Sequence, residues 1–172
     1  MLLWLLACAS PPPAERDLPY VGTATWQLGP YALTLDGDTL VGPAGPLVTR
    51  VYDTPVASAS TLWVPADPGP GDGGIYAVRV GSDGPEVTPV LTAGRPDRLT
   101  LAPDGSLLYV SGITGLSSLW VLREGQPHPL TNVGLHPTPG RRPDGYVPSP
   151  ARGTLRFDGA RLSWDDVSVD WR

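Results

Sequence analysis

Glycine and proline punctuate this chain so densely that long helices have little room. Of its 172 residues, 21 are Gly and 22 are Pro. Gly costs about 1 kcal/mol and Pro about 3 kcal/mol in a helix interior. Between these breakers lie short runs rich in Val, Leu, Trp and Tyr, which is the pattern of strands joined by turns. Disorder is the alternative for such a composition, but 41% hydrophobic content with six Trp supplies too much apolar surface for a solvated tail. The predicted strands are 23–28, 31–35, 39–41, 47–52, 61–64, 75–80, 87–91, 98–101, 107–111, 118–122, 127–130, 154–157, 161–164 and 167–171. "LDGDTL" and "FDGARL" set Asp-Gly between apolar runs, a strong hairpin signal. "APDGSL" sets Pro-Asp-Gly in the same role. The expected class is all-β.

The N-terminus has a different character. Met1 to Ala7 is apolar, yet a bilayer span needs about 20 residues. The segment ends Leu5-Leu6-Ala7-Cys8, and Cys8 is the only cysteine. This ending resembles a bacterial lipobox, with an aliphatic residue three places before the Cys and a small residue directly before it. The resemblance implies cleavage before Cys8 and lipid attachment at its thiol and new N-terminus. Each buried CH₂ contributes about 0.8 kcal/mol, so several acyl chains make a durable anchor. "ASPPPAERDLP" then reads as a stiff extended tether. Three parts follow: 1–7 as signal segment, 8–19 as acylated Cys and tether, and 20–172 as the β body. The expected location is the bacterial cell envelope. Ala9, where Asp often marks inner-membrane retention, leans toward the outer membrane.

Within the body an internal repeat is legible. Leu62-Trp63-Val64 matches Leu108-Tyr109-Val110, Ile75-Tyr76-Ala77-Val78 matches Leu119-Trp120-Val121-Leu122, and Leu91-Thr92 matches Leu130-Thr131. The period of about 40–45 residues is that of a four-stranded propeller blade. The stretch from Arg98 to Asn132 resembles the WD40-like repeat of TolB-type propellers. Pro103-Asp104-Gly105, Leu108-Tyr109-Val110-Ser111, Leu119-Trp120-Val121 and Leu130-Thr131 fill that pattern in order. The resemblance implies a small, partial or irregular β-propeller of about three to four blade-like antiparallel sheets. A β-sandwich built from the same hairpins is the alternative. The body is short for a closed propeller. An open stack would leave apolar faces and edges exposed, which invites a protein partner. The C-terminal "GTLRFDGARLSWDDVSVDWR" departs from the repeat and reads as a three-stranded meander capping the last blade.

Catalytic chemistry finds little support. TolB-like blades also precede the catalytic domains of prolyl-oligopeptidase-type enzymes, but Gly-x-Ser-x-Gly is missing here. The two His residues, His128 and His136, lie in Pro-flanked loops, a poor setting for a triad base. Asp36, Asp38, Asp67 and Asp72 could offer oxygens to calcium, but they lack EF-hand spacing and read as turn residues. Asp165, Asp166 and Asp170 read as a solvated strand pair. No metal or cofactor is expected. Net charge is −5, all basic residues are Arg, and no basic stripe favours nucleic acid. Trp63 and Trp120 sit inside blade strands and read as core; Trp26, Trp164 and Trp171 complete the set beyond the signal segment. The expectation is a non-catalytic lipoprotein that binds or scaffolds a protein partner at the envelope. An accessory relative of propeller peptidases and a carbohydrate- or calcium-binding β domain are the alternatives.

Overall fold

The structure is a computed structural model and describes residues 23–69, 73–113, 116–130, 156–158, 161–164 and 167–170. Cys8, the tether, Asp72, His136, Asp165, Asp166 and Trp171 lie outside the described residues. The described chain is all-β and forms four antiparallel sheets, each a meander in chain order. The first holds β1 (Ala24–Leu28), β2 (Tyr31–Asp36), β3 (Thr39–Gly42) and β4 (Gly45–Val48). The second holds β5 (Val56–Ala57), β6 (Thr61–Ala66), β7 (Gly74–Val80) and β8 (Pro85–Leu91). The third holds β9 (Asp97–Leu101), β10 (Leu107–Ile113), β11 (Leu116–Arg123) and β12 (Gln126–Pro129). The fourth is the three-stranded β13 (Arg156–Asp158), β14 (Arg161–Trp164) and β15 (Val167–Asp170).

The internal repeat falls on matching strands. Trp63 and Tyr109 lie on β6 and β10, the second strands of their sheets; Tyr76 and Trp120 lie on β7 and β11, the third strands. One expectation at the strand level needs correction, and one strand was missed. The run 47–52 is not one strand: β4 stops at Val48 because Arg50 takes a left-handed backbone with φ of 56°. Val51 then donates its N–H to the Asp38 carbonyl at 2.8 Å and bridges to Ala66. The two-residue β5 was not predicted, being too short to carry a period.

Core side chains show how the sheets stack. Leu33, Leu35 and Leu40 of the first sheet share one buried cluster with Leu62, Val64 and Val78 of the second. A further cluster joins Ile75, Trp63 and Val90 of the second sheet to Leu99, Tyr109 and Leu122 of the third. Leu108, Val110, Leu119 and Val121 of the third pack with Leu162 and Phe157 of the fourth. Successive residues of the middle sheets therefore face opposite cores: Leu107 and Tyr109 one way, Leu108 and Val110 the other. Such strands need continuous apolar runs, and "LLYV" supplies one.

The end sheets differ. In the first, Thr25 pairs with Thr34 and Gln27 with Ala32, and their side chains face away from the core that holds Leu33 and Leu35. In the fourth, Arg156 pairs with Ser163, and Asp158 with Arg161, around the inward Phe157 and Leu162. Both ends carry a polar outer face. Sheet edges are blunted as well. The fourth strands carry Pro46, Pro85, Pro89, Pro127 and Pro129. Proline withholds a ladder donor, which at an edge discourages further strand pairing.

Candidate functional site

Where the second and third sheets meet, the structure opens a cleft of about 650 Å³. That size suits a small organic ligand. One wall comes from the second sheet: Trp63 on β6, Arg79 on β7, and Val90 on β8. The other comes from two turns of the third sheet, which bring Asp104 and Ser106 from the β9–β10 connection and Arg123 and Glu124 from the β11–β12 hairpin.

Local chemistry fixes each wall. Thr61 stands opposite Arg79 in the β6–β7 register, and Arg79 Nε donates to Thr61 Oγ1 at 3.1 Å. The guanidinium lies 5.7 Å from the centre of the Trp63 ring, a cation–π distance. Asp104 Oδ1 accepts the Ser106 N–H at 2.9 Å, and Ala102 and Ser106 close the same turn through main-chain bonds. Gly105 has φ of 84°, which a side chain would resist. Partial burial works against charge on Asp104. The Ser106 hydrogen bonds and the positive Arg123 outweigh it and hold the carboxyl below its ordinary range. Asp104 is therefore an ionised acceptor at neutral pH. Glu124 and Gly125 turn β11 into β12 with φ of 51° and 77°, the paired left-handed geometry of a two-residue hairpin.

Trp63 and Trp120 are half-buried and pack against the cluster between the second and third sheets. Trp120 lies parallel to Tyr109 at 6.5 Å between ring centres. The Nε1 atoms of both indoles are buried without a hydrogen-bond partner. Burial also pushes the Tyr109 phenol up to about 12.

Among the described residues, the sequence-selected acidic residues do not assemble. Asp38 accepts from Thr39 Oγ1 beside the β2–β3 turn, and Asp67 pairs with Arg50 at 2.9 Å. Asp170 meets Arg161 at 3.7 Å on an exposed face. Among the described residues no group of three or more His, Cys, Asp or Glu is placed to hold a metal. His128 is exposed on β12, opposite Val121. Trp26 is half-buried against the first core.

A second cluster ties the sheets at their first strands. The Tyr52 hydroxyl donates to the Pro96 carbonyl at 2.8 Å, and Arg95 lies 5.0 Å over its ring. Asp53 accepts the Arg98 N–H, and Arg98 Nε meets Asp97 Oδ1 at 3.2 Å. Burial drives the Tyr52 phenol well above its ordinary value, so it remains a donor. Arg95 and Arg98 hold left-handed backbones at φ of 40° and 50°. This cluster is a fastening between connecting segments, not a cavity.

Sequence reasoning missed the cleft arginines. The signal was in the repeat: Arg79 follows Ile75-Tyr76-Ala77-Val78 as Arg123 follows Leu119-Trp120-Val121-Leu122. A cation at the same place in both copies marks a solvent-facing strand end. Comparison with protein-family models, curated proteins and solved structures gives no match.

Proposed function

We propose that the chain is a lipid-anchored, non-catalytic binding and scaffolding protein of the bacterial cell envelope, whose body is a small, irregular propeller of four blade-like sheets. The observation that carries the binding role is the cleft between the second and third sheets, where two arginines and two carboxylates meet beside Trp63. The propeller reading is supported by how the sheets approach one another. Close contacts across sheets run through β1 and β6, and from β5 and β6 to β9, at or next to the first strands. The outer strands β8 and β12 are largely solvated. A fan converging on its first strands has this pattern, whereas a sandwich brings whole faces together.

The anchor rests on Leu5-Leu6-Ala7-Cys8 and the proline tether behind it. The polar outer faces of the end sheets bear on the partner. They are mainly polar, with Ala32, Val41 and Pro46 as the apolar positions of the first sheet's outer face, and the seam between the middle sheets holds the cleft. In a bacterial host, the wild-type chain is expected in the membrane pellet with incorporated labelled fatty acid. Cys8→Ser should shift it to the soluble fraction or stall its processing. Equal distribution of both forms, with no lipid label on wild type, would refute the anchored reading.

A further inference from the structure

We propose that the cleft between the second and third sheets binds a neutral carbohydrate, one to three sugar rings long. The inference rests on the binding role given above and names its ligand class. Four observations lead to it.

First, the charges balance. Arg79 on the second-sheet wall faces Asp104, Arg123 and Glu124 on the third-sheet wall. Two cations and two anions leave no net field to select an ion of either sign. They do offer both donors and acceptors, and a sugar hydroxyl is both. Carboxylates accept from hydroxyls and guanidiniums donate to them in charge-assisted bonds, which are roughly twice as strong as neutral ones.

Second, part of the second-sheet wall is apolar, beside the Arg79 guanidinium that lies over the Trp63 ring. Val90 and the half-buried Trp63 supply it. A pyranose carries an apolar C–H face beside its ring of hydroxyls, so it matches a strip of this kind flanked by polar groups. Third, two of the polar groups, Asp104 and Arg79, are held before any ligand arrives. Asp104 is fixed by Ser106 and kept ionised, and Arg79 is held by Thr61 and the Trp63 ring. Preorganisation lowers the ordering cost of binding a flexible, hydrated molecule.

Fourth, an extended peptide is the main competing ligand, and the strand edges beside the cleft do not suit it. Peptides commonly join a sheet edge through main-chain hydrogen bonds. Here the flanking edges are β8, with Pro85 and Pro89, and β12, with Pro127 and Pro129. Each proline withholds a donor from such a ladder. Recognition at this seam therefore has to come from side chains, as it does for a sugar.

The test uses the full chain, purified from whichever cell fraction holds it, in a zwitterionic detergent so that no glycosidic detergent competes. Calorimetric titrations with the N-acetylglucosamine trimer, cellotriose and maltotriose should give saturable binding to at least one. Arg79→Gln and Glu124→Gln should each weaken that binding by tenfold or more. Asp36→Asn, at the end of β2 in the first sheet, should leave it unchanged. Thermal melts check that the variants fold, and the exposed Glu124 keeps the test decisive if Arg79→Gln disturbs the Trp63 wall. No binding of any of the three sugars overturns the proposal. So does binding that both cleft variants leave intact, or a tri-alanine peptide that binds as tightly as the best sugar. Sugar binding by a chain that Cys8→Ser fails to release would leave the ligand assignment standing and remove the anchor; the reverse result would do the opposite.

Discussion

The third sheet and the first are built from similar strands, yet they solve different burial problems. On β10, Leu107 and Tyr109 enter the core shared with the second sheet, and Leu108 and Val110 enter the core shared with the fourth. On β2, Leu33 and Leu35 are buried, while Ala32 and Asp36 are exposed and Thr34 is half-exposed. The sequence difference is one of period: a continuous apolar run in the middle, alternation at the end. The lesson concerns the whole stack. Terminal units with a polar outer face finish an array of repeats and keep it soluble. The fourth sheet does the same with Arg156, Asp158 and Arg161 outward. Among the described residues no core cluster joins the first sheet to the fourth.

The largest expected effect tests this contrast directly. Leu108→Ala removes a side chain buried at 0% exposure in a middle sheet and should cost about 2–5 kcal/mol. Thr34→Ala, on the outer face of the first sheet, should change stability by no more than about 0.5 kcal/mol. Urea denaturation measures both. A Thr34→Ala loss comparable to that of Leu108→Ala would mean that the outer face is covered, and the end sheet would not be an end.

A smaller effect sharpens the comparison at the joints. The connection from the first sheet to the second is pinned to the connection from the second to the third by Tyr52, whose hydroxyl reaches the Pro96 carbonyl at 2.8 Å. Tyr52 is 5% exposed. Tyr52→Phe should therefore cost about 1 kcal/mol, with the Pro96 acceptor losing its donor. At the far end, the exposed Arg161–Asp170 pair sits at 3.7 Å. Exposed pairs of this kind contribute little, so Asp170→Asn should leave the melting temperature unchanged. Equal losses from the two variants would show that the end sheet is held by its surface charges as firmly as the middle is held by its seam.

Much of this arrangement was legible in the sequence. "LDGDTL", "FDGARL" and "APDGSL" each mark a connection between neighbouring strands, because Asp-Gly and Pro-Asp-Gly act locally. The repeat gave the second and third strands of two sheets, since their two-sided burial leaves an unbroken apolar run. Other features were hidden. The break at Arg50 depends on a left-handed residue that a Thr-Arg-Val sequence does not announce. The two-residue β5 exists only through its pairing with Leu62 and Trp63. The cleft is assembled from residues far apart in the chain, and only register could bring Arg79 beside Trp63 and opposite the Asp104 turn. Two of the acidic residues that could offer oxygens to calcium are occupied, Asp38 by Thr39 next to it in the chain and Asp67 by Arg50 on the neighbouring connection.

The smallest expected effect is electrostatic and belongs to the same seam as Tyr52. Burial raises the Asp97 carboxyl above its ordinary 3.8; Asp53 adds to the rise, and Arg98 and Arg95 offset part of it. A raised value means the folded chain holds the proton more tightly than the unfolded chain does. The ionised carboxylate therefore costs stability at neutral pH. That cost is relieved as pH falls through the raised value, fully so once the unfolded value is passed. Asp97→Asn removes the titration. The melting temperature of the parent relative to this variant should climb as pH is lowered from neutrality through the raised value towards the unfolded reference. A constant gap between parent and Asp97→Asn across that range would mean that the seam does not desolvate Asp97.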